Sequence, residues 1–435
     1  MTNDKYYATR RQFLQTLAAS GAIAAGDLAW WEAPFLSPRK ASAASIVRYQ
    51  FSVPEPKRTA IVESLVERFN QSQSEFEVKV EFVPQAQARQ KLITAVAAGN
   101  PPDCCQMYDS WLGEFDGMGA VEDLTERARN WKHYADVLPA AWDTVTVKGR
   151  TLSLPLDCFN DAIFYRTDRL KEYGLQPPKD DWTWDDFLAL AKGFTKPEKN
   201  QYGFGMRGGG SWALLYATMF MYGNGAQVLK HGKVVINSKE AEDALNWYLD
   251  LYRKHKVTPP SVPTDAYRQI VEGFGRGVTN MYLHNSGSIE EQKGFVGPQN
   301  FATVPVPFGP AKKRAAFFSA ETLTMFRAAK NKEGAWKFIT FLMEDEPLFN
   351  YCRGIGVTPP RKSIAERPEY TKDPALGGFV RSLPFSMVNP YLAYAGWGGK
   401  LDSEGVPLFQ QAMVGKISAK EFLDRFAEVL TKNMM

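Results

Sequence analysis

The chain has 435 residues, 44% of them hydrophobic, which is enough to bury a large core and exceeds the usual size of one compact domain. Its formal charge is +4 at pH 7, and residues 1–43 carry five Lys/Arg against three Asp/Glu, so the rest of the chain is close to neutral and has no nucleic-acid-binding footprint. The four cysteines, Cys104, Cys105, Cys158 and Cys352, and the four histidines, His133, His231, His255 and His284, show no metal-ligand spacing.

At the N-terminus, Arg10 and Arg11 stand directly before Gln12, Phe13 and Leu14, a twin-arginine pattern. A short apolar run over 14–25 and Ala41-Ser42-Ala43 complete a basic region, an apolar region and a small-residue cleavage site. The run falls short of the roughly 20 residues a membrane-spanning helix needs. A signal peptide over 1–43 is therefore expected, with a mature protein that begins near Ala44 and works in the periplasm. The stretch 27–40 contains Trp30 and Trp31, so a cut near Ala24 is an alternative. No cysteine flanks either cut, which argues against a lipoprotein. Cargo of this route folds before export, in a reducing compartment where structural disulfides are disfavoured. All four cysteines are expected to be buried as small hydrophobes.

Residues 46–52 read as a first strand, and a Pro-containing turn follows at 53–56. Ile61, Leu65 and Phe69, with Val62 and Val66 beside them, give helical periodicity. Residues 76–82 (FEVKVEF) alternate strictly and predict a strand. A second helix carries Leu92, Ile93 and Val96 and stops at Gly99-Asn100-Pro101. Strand, helix, strand, helix with short links predicts a parallel α/β sheet. Thr183 with Asp186 forms a near capping box. Later helices carry Ala241, Leu245 and Tyr248; then Ala335, Phe338, Ile339 and Leu342; then Phe422, Phe426 and Leu430, the last capped by Ser418. Two lobes without a low-complexity linker imply a chain that crosses between them more than once.

Catalytic signatures are sparse. There is no G-x-S-x-G elbow and no G-x-x-x-x-G-K-[ST] loop. Gly203-Phe204-Gly205 with Gly208-Gly209-Gly210 superficially resembles a dinucleotide loop, but it lacks the strand-to-helix context that such a loop needs. Aromatic residues are abundant, at 13%. Trp111, Trp212 and Trp397 sit in Gly-, Ser- or Asp-bearing stretches that read as loops, where a ring beside short polar groups suits a polyhydroxylated ligand. Trp247 and Trp336 lie on helical patterns and are expected to pack in the core.

Several segments, in order, resemble the family 1 extracellular solute-binding proteins of ABC importers, the maltose-binding-protein family. They are KLITAVAAGNPPD at 91–103, GAVEDLT at 119–125, KGRTLSLP at 148–155, FYRTD at 164–168, WTWDDF at 182–187 and AWKFITFL at 335–342. The resemblance implies an α/β, two-lobed periplasmic-binding-protein fold of type II, each lobe a sheet flanked by helices, with the ligand cleft between them and hinge closure on binding. The expected division is 44–157 as lobe 1, 158–317 as lobe 2, 318–357 as the return to lobe 1, and 358–435 as lobe 2 with the C-terminal helices. The family pattern, carried onto matching positions, implies ligand contacts from Tyr108, Asp109, Ser110 and Trp111; from Phe159, Asn160 and Asp161; from Ser211, Trp212, Asn285 and Ser286; from Ser319 and Glu321; and from Trp397. Two departures bear on the ligand: no tryptophan stands near His284-Asn285-Ser286-Gly287, and Phe318-Ser319-Ala320-Glu321 replaces a diglycine. Glu321 would bond a sugar hydroxyl or pair with a cationic ligand.

The function implied is a periplasmic substrate-binding subunit of an ABC importer that captures a sugar or sugar derivative and hands it to membrane permease subunits. No catalysis, cofactor, metal or nucleic-acid partner is expected, and the export machinery is a further partner. The alternatives are a binder of a cationic or other polar solute, which would recruit Asp109, Asp161 and Glu321, and a secreted carbohydrate-active enzyme with two cleft carboxylates.

Overall fold

The computed structural model describes residues 44–393 and 397–433, with side chains for 44–391 and 399–433. Arg10, Arg11 and both expected cleavage sites lie outside the described residues. Two strand–helix units come first. β1 (Ser45–Phe51) and β2 (Phe76–Phe82) pair in parallel along their whole length, and α1 (Pro56–Ser72) connects them. α1 starts on Pro56, whose fixed φ suits the first helical position, and buries Val62, Leu65, Val66 and Phe69. α2 (Gln85–Ala97) leads to β3 (Cys104–Tyr108), parallel to β1 on its other side. α3 (Asp109–Gly117) continues directly from β3, and β4 (Ser153–Pro155) comes next in this sheet.

The chain then leaves for a second sheet, centred on β5 (Phe159–Arg166). In chain order it adds α4 (Trp184–Phe194), β6 (Tyr202–Gly205), α5 (Ser211–Gly223), α6 (Lys239–Arg253), α7 (Tyr267–Gly275), β7 (Thr279–Asn285), β8 (Phe301–Val304) and β9 (Ala316–Ser319). One residue, Ala320, separates β9 from β10 (Glu321–Met325), which returns to the first sheet and runs antiparallel to both β3 and β4. α8 (Lys332–Leu342) packs on β1 and α9 (Asp345–Ile355) on α1. The chain crosses back, and α10 (Gly377–Ser382), β11 (Ser386–Val388) and α11 (Ala419–Lys432) complete the second sheet and its cover. The strand orders are β2-β1-β3-β10-β4 and β11-β9-β5-β7-β6, with β8 also pairing β5.

Local signals hold. Thr183 and Asp186 form the capping box of α4, and Ser418 Oγ accepts the Glu421 N–H at 3.0 Å at the start of α11. All four cysteines are free and buried. Trp247 stacks on Trp184 with ring centroids 4.4 Å apart, and Trp336 packs against the core.

The crossings are laced together. The Leu156 N–H donates to the Glu321 carbonyl at 2.7 Å, and the Cys158 N–H to the Thr358 carbonyl at 2.8 Å. Thr358 Oγ1 returns a bond to the Cys158 carbonyl at 2.9 Å. The Asp109 N–H donates to the Ala320 carbonyl at 3.1 Å, and the Ala320 N–H to Asp109 Oδ2 at 3.0 Å. These bonds satisfy backbone groups that pass between the sheets, where an unpaired one would be costly.

Candidate functional site

A cavity of about 950 Å³ is lined by residues of both sheets and their helices. The first contributes Tyr108, Asp109 and Ser110, where β3 turns into α3; the second contributes Phe159 and Asp161 of β5, Trp212 of α5 and Asn285 of β7. Ser319 and Glu321 flank the return crossing in the same wall. Nine residues expected at a ligand site from the sequence therefore share one cavity.

Others are elsewhere for clear reasons. Side chains alternate along a strand, so Phe159 and Asp161 face the cavity while Asn160 points to the opposite face, where its Nδ2 donates to the Phe379 carbonyl at 2.7 Å. Ser286 and Ser211 are buried off the cavity wall. Trp111 lies within α3, packed against the cluster of Leu92, Met107 and Phe115, and its ring meets Tyr108 edge-on at 5.3 Å. Trp397 opens a short helix, Trp397–Lys400, and its side chain is outside the described residues.

Two expectations are corrected. The stretches holding Trp111 and Trp212 are helices, not loops: Trp111 is the third residue of α3, which starts at Asp109, and Trp212 the second of α5, which starts at Ser211. The glycine-rich stretch after β6 does have strand-to-helix context, because β6 leads through Gly208-Gly209-Gly210 into α5. Its glycines serve packing: a Cβ on Gly208 would sit 2.2 Å from the Val262 carbonyl oxygen, and Gly210 has φ 73°. The Asp402 carboxylate accepts the Ser211 N–H at the start of α5, so the chain itself supplies an anion there.

Residues that sequence reasoning missed include Arg58, Gln85, Leu215, Tyr267, Phe317 and Asn389. Arg58 had a legible signal, a basic pair with Lys57 just after the first strand; Tyr267 and Asn389 had none. Arg58 is the partner of Glu321: its Nη1 lies 2.8 and 2.9 Å from the two carboxylate oxygens, and Tyr351 donates to Oε2 at 3.3 Å. Of the two partners expected for Glu321, a sugar hydroxyl or a cationic ligand, the place of the cation is filled internally by Arg58.

Burial governs the other carboxyls. It pushes Asp109 up to about 7, against the N–H groups of Ala320 and Ser110 that hold its ionised form. It pushes Asp161 up to about 8, opposed by the field of Arg207 and by the Phe317 N–H. Asp157, whose Oδ1 accepts the Glu321 N–H at 3.1 Å, is raised by burial and by the Glu321 charge. Burial drives His284, behind the cavity, down to about 3 and keeps it neutral.

Residues 54–347 match the family model described as bacterial extracellular solute-binding protein. The chain belongs to that family. A binding protein of Brucella abortus (strain 2308) is 25% identical over 318 residues, covering 73% of this chain and 76% of that one. The maltotriose-binding protein of Pyrococcus abyssi is 22% identical over 360 residues, covering 79% and 74%. Among solved structures, the cyclic α-maltosyl-1,6-maltose binding protein from Arthrobacter globiformis superposes with a TM-score of 0.78 at 19% identity, over 89% of this chain and 98% of that one. The fold is the two-lobed periplasmic-binding-protein fold. No helix among the described residues is long and apolar enough to cross a membrane.

Proposed function

We propose that this protein is the periplasmic substrate-binding subunit of an ABC importer, and that it captures a sugar or polyol in the cleft and delivers it to permease subunits without chemical change. The observation that carries this reading is the cavity wall. Aromatic rings of Tyr108, Phe159, Trp212 and Tyr267 stand beside Asp161, Asn285, Ser110 and Ser319, groups that bond hydroxyls. Flat apolar faces cover the C–H side of a sugar ring and the polar groups fix its hydroxyls. The maltotriose and cyclic maltosyl-maltose relatives point the same way. Residues of both lobes would touch the ligand, which is what closure requires, because a ligand shifts an equilibrium only by binding one state better.

The lobes divide as 44–157 with 318–357, and 158–317 with 358–435. The shared sheet of β1–β4 with β10 supports this division except at the return, where β9 keeps Phe318 and Ser319 in the second sheet and the crossing centres on Ala320. Export by the twin-arginine route rests on Arg10 and Arg11 before the short apolar run.

The test is small-angle scattering of the mature protein after a thermal-shift screen of sugars and polyols. A stabilising ligand at 100 times its dissociation constant adds about 2.7 kcal/mol. The radius of gyration should fall with that ligand, and chromatography should recover it unaltered. Cleavage of the ligand at a rate proportional to protein would establish an enzyme instead.

A further inference from the structure

We infer, building on the sugar-or-polyol reading, that the ligand carries a protonated amine, and that Asp161 is the residue that selects it. Three carboxylates other than those at the cavity mouth face the cavity: Asp109, Asp161 and Glu321. Glu321 is neutralised by Arg58 at 2.8 Å. Asp109 is engaged by the backbone, its Oδ1 accepting from the Ser110 N–H at 2.7 Å and its Oδ2 from the Ala320 N–H at 3.0 Å. At the mouth, Glu290 is met by Lys57 at 3.9 Å and by Lys293 at 2.9 Å, and Glu55 by Arg58 at 3.7 Å.

Asp161 differs from all of these. It is 1% exposed, it lines the cavity, and its Oδ1 has no hydrogen-bond partner. The Phe317 N–H serves the carboxylate as a backbone donor. Arg207, the cation whose field reaches it, donates its Nε to the Gly209 carbonyl at 3.1 Å and lies over the Tyr216 ring. A buried carboxylate oxygen with nothing bonded to it is costly unless a ligand donor fills the place. A charged donor fills it best, since hydrogen bonds between ions are roughly twice as strong as neutral ones. The surroundings suit an ammonium: Trp212 lines the cavity with Asp161 and offers a ring of the kind that attracts cations, whereas the Tyr267 ring already carries Arg268 at 5.2 Å and the Asn285 amide oxygen already accepts the Gly287 N–H at 2.9 Å. An amine-bearing sugar or polyol meets the aromatic wall with its C–H face and Asp161 with its ammonium.

The experiment compares matched probes on the mature protein by calorimetry at pH 7: glucose, glucosamine and N-acetylglucosamine, and glucitol with N-methylglucamine. The amine member of at least one pair should bind about 10-fold or more tighter than its neutral counterpart, the scale of a charge-assisted bond, and N-acetylation should abolish the gain. Asp161→Asn should erase the preference, so that the amine and neutral members of each pair bind that variant with equal affinity. A second readout does not depend on that variant folding. The groups around Asp161 that could also titrate are Tyr216, Tyr267 and His284, and Arg207 is the charged group beside it. Ammonium binding should displace the Asp161 proton, so the heat should vary with buffer ionisation enthalpy as proton release. Equal affinity for neutral and amine members, or no proton release, overturns the inference and leaves the sugar-or-polyol reading in place. Binding of methylammonium, included as a probe without hydroxyls, while none of the hydroxylated probes binds overturns both.

Discussion

Arg58 and Glu321, 263 residues apart in sequence, meet in the cleft wall with one guanidinium nitrogen bonded to both carboxylate oxygens. The pair joins α1 to the first residue of β10, beside the return crossing. Arg58 is held at 9% exposure and Glu321 at 1%. Removing one partner strands a buried charge, which generally costs about 3–5 kcal/mol. Arg58→Met should therefore lower the urea midpoint by that equivalent, and Arg58→Met with Glu321→Gln should recover a large part. A single-variant loss under about 1 kcal/mol would show that water reaches the site and screens it.

Trp212 and Trp111 should separate cleanly. Trp212→Ala removes a cavity ring and should weaken ligand binding by about 1–3 kcal/mol with a smaller change in melting. Trp111→Ala vacates a helix face packed on Phe115 and Leu92, so stability should fall by about 1–3 kcal/mol while affinity in the folded fraction holds. Calorimetry and thermal melts on both variants give the comparison; the reverse pattern would exchange their roles.

Stability of the ligand-free protein should rise on acidification within the neutral range. Burial raises Asp161 to about 8 and Asp109 to about 7, whereas an unfolded chain ionises these carboxyls near about 3.9. Between those values the folded state holds more protons than the unfolded, so stability is full below about 4 and is lost as pH climbs through about 7–8. The melting difference between wild type and Asp161→Asn should therefore change steadily from pH 5 to pH 8.5, wild type losing ground as pH rises. A constant difference would mean that Asp161 is ionised throughout.

Export should depend on Arg10 and Arg11. Replacing both with lysine should leave full-length precursor in the cytoplasm, seen by fractionation and immunoblotting. Normal periplasmic accumulation of that variant would assign export to another route.

How much of this was legible in the sequence depended on how local the signal is. The strand Phe76–Phe82 was readable because alternation is a property of neighbours, and the Thr183–Asp186 box because a cap needs only four residues. The absence of a linker implied more than one crossing, but the bonding there was not legible, since Leu156 with Glu321 and Cys158 with Thr358 are long-range pairs. At the site, the family-like pattern brought Asp161 and Phe159 to the cavity but included Asn160, because the pattern marks a stretch and only the pleat decides which of its residues faces inward. Trp111 and Trp212 stood among loop-forming residue types that proved to be helix starts. Arg58 and Tyr267 reach the cavity through packing of α1 and α7 that no short window contains.

The place of β10 also bears on how the chain is made. It fills the slot between β3 and β4, yet it is synthesised long after both. At about 5–20 residues per second, the ribosome needs on the order of ten to thirty seconds to travel from Pro155 to Met325. Throughout that interval the inner edges of β3 and β4 have no strand between them, and such open edges invite pairing with other chains. For the 170 residues from Pro155 to Met325, roughly two-fifths of the chain, a nascent molecule thus carries an open sheet edge of the kind that chaperones cover.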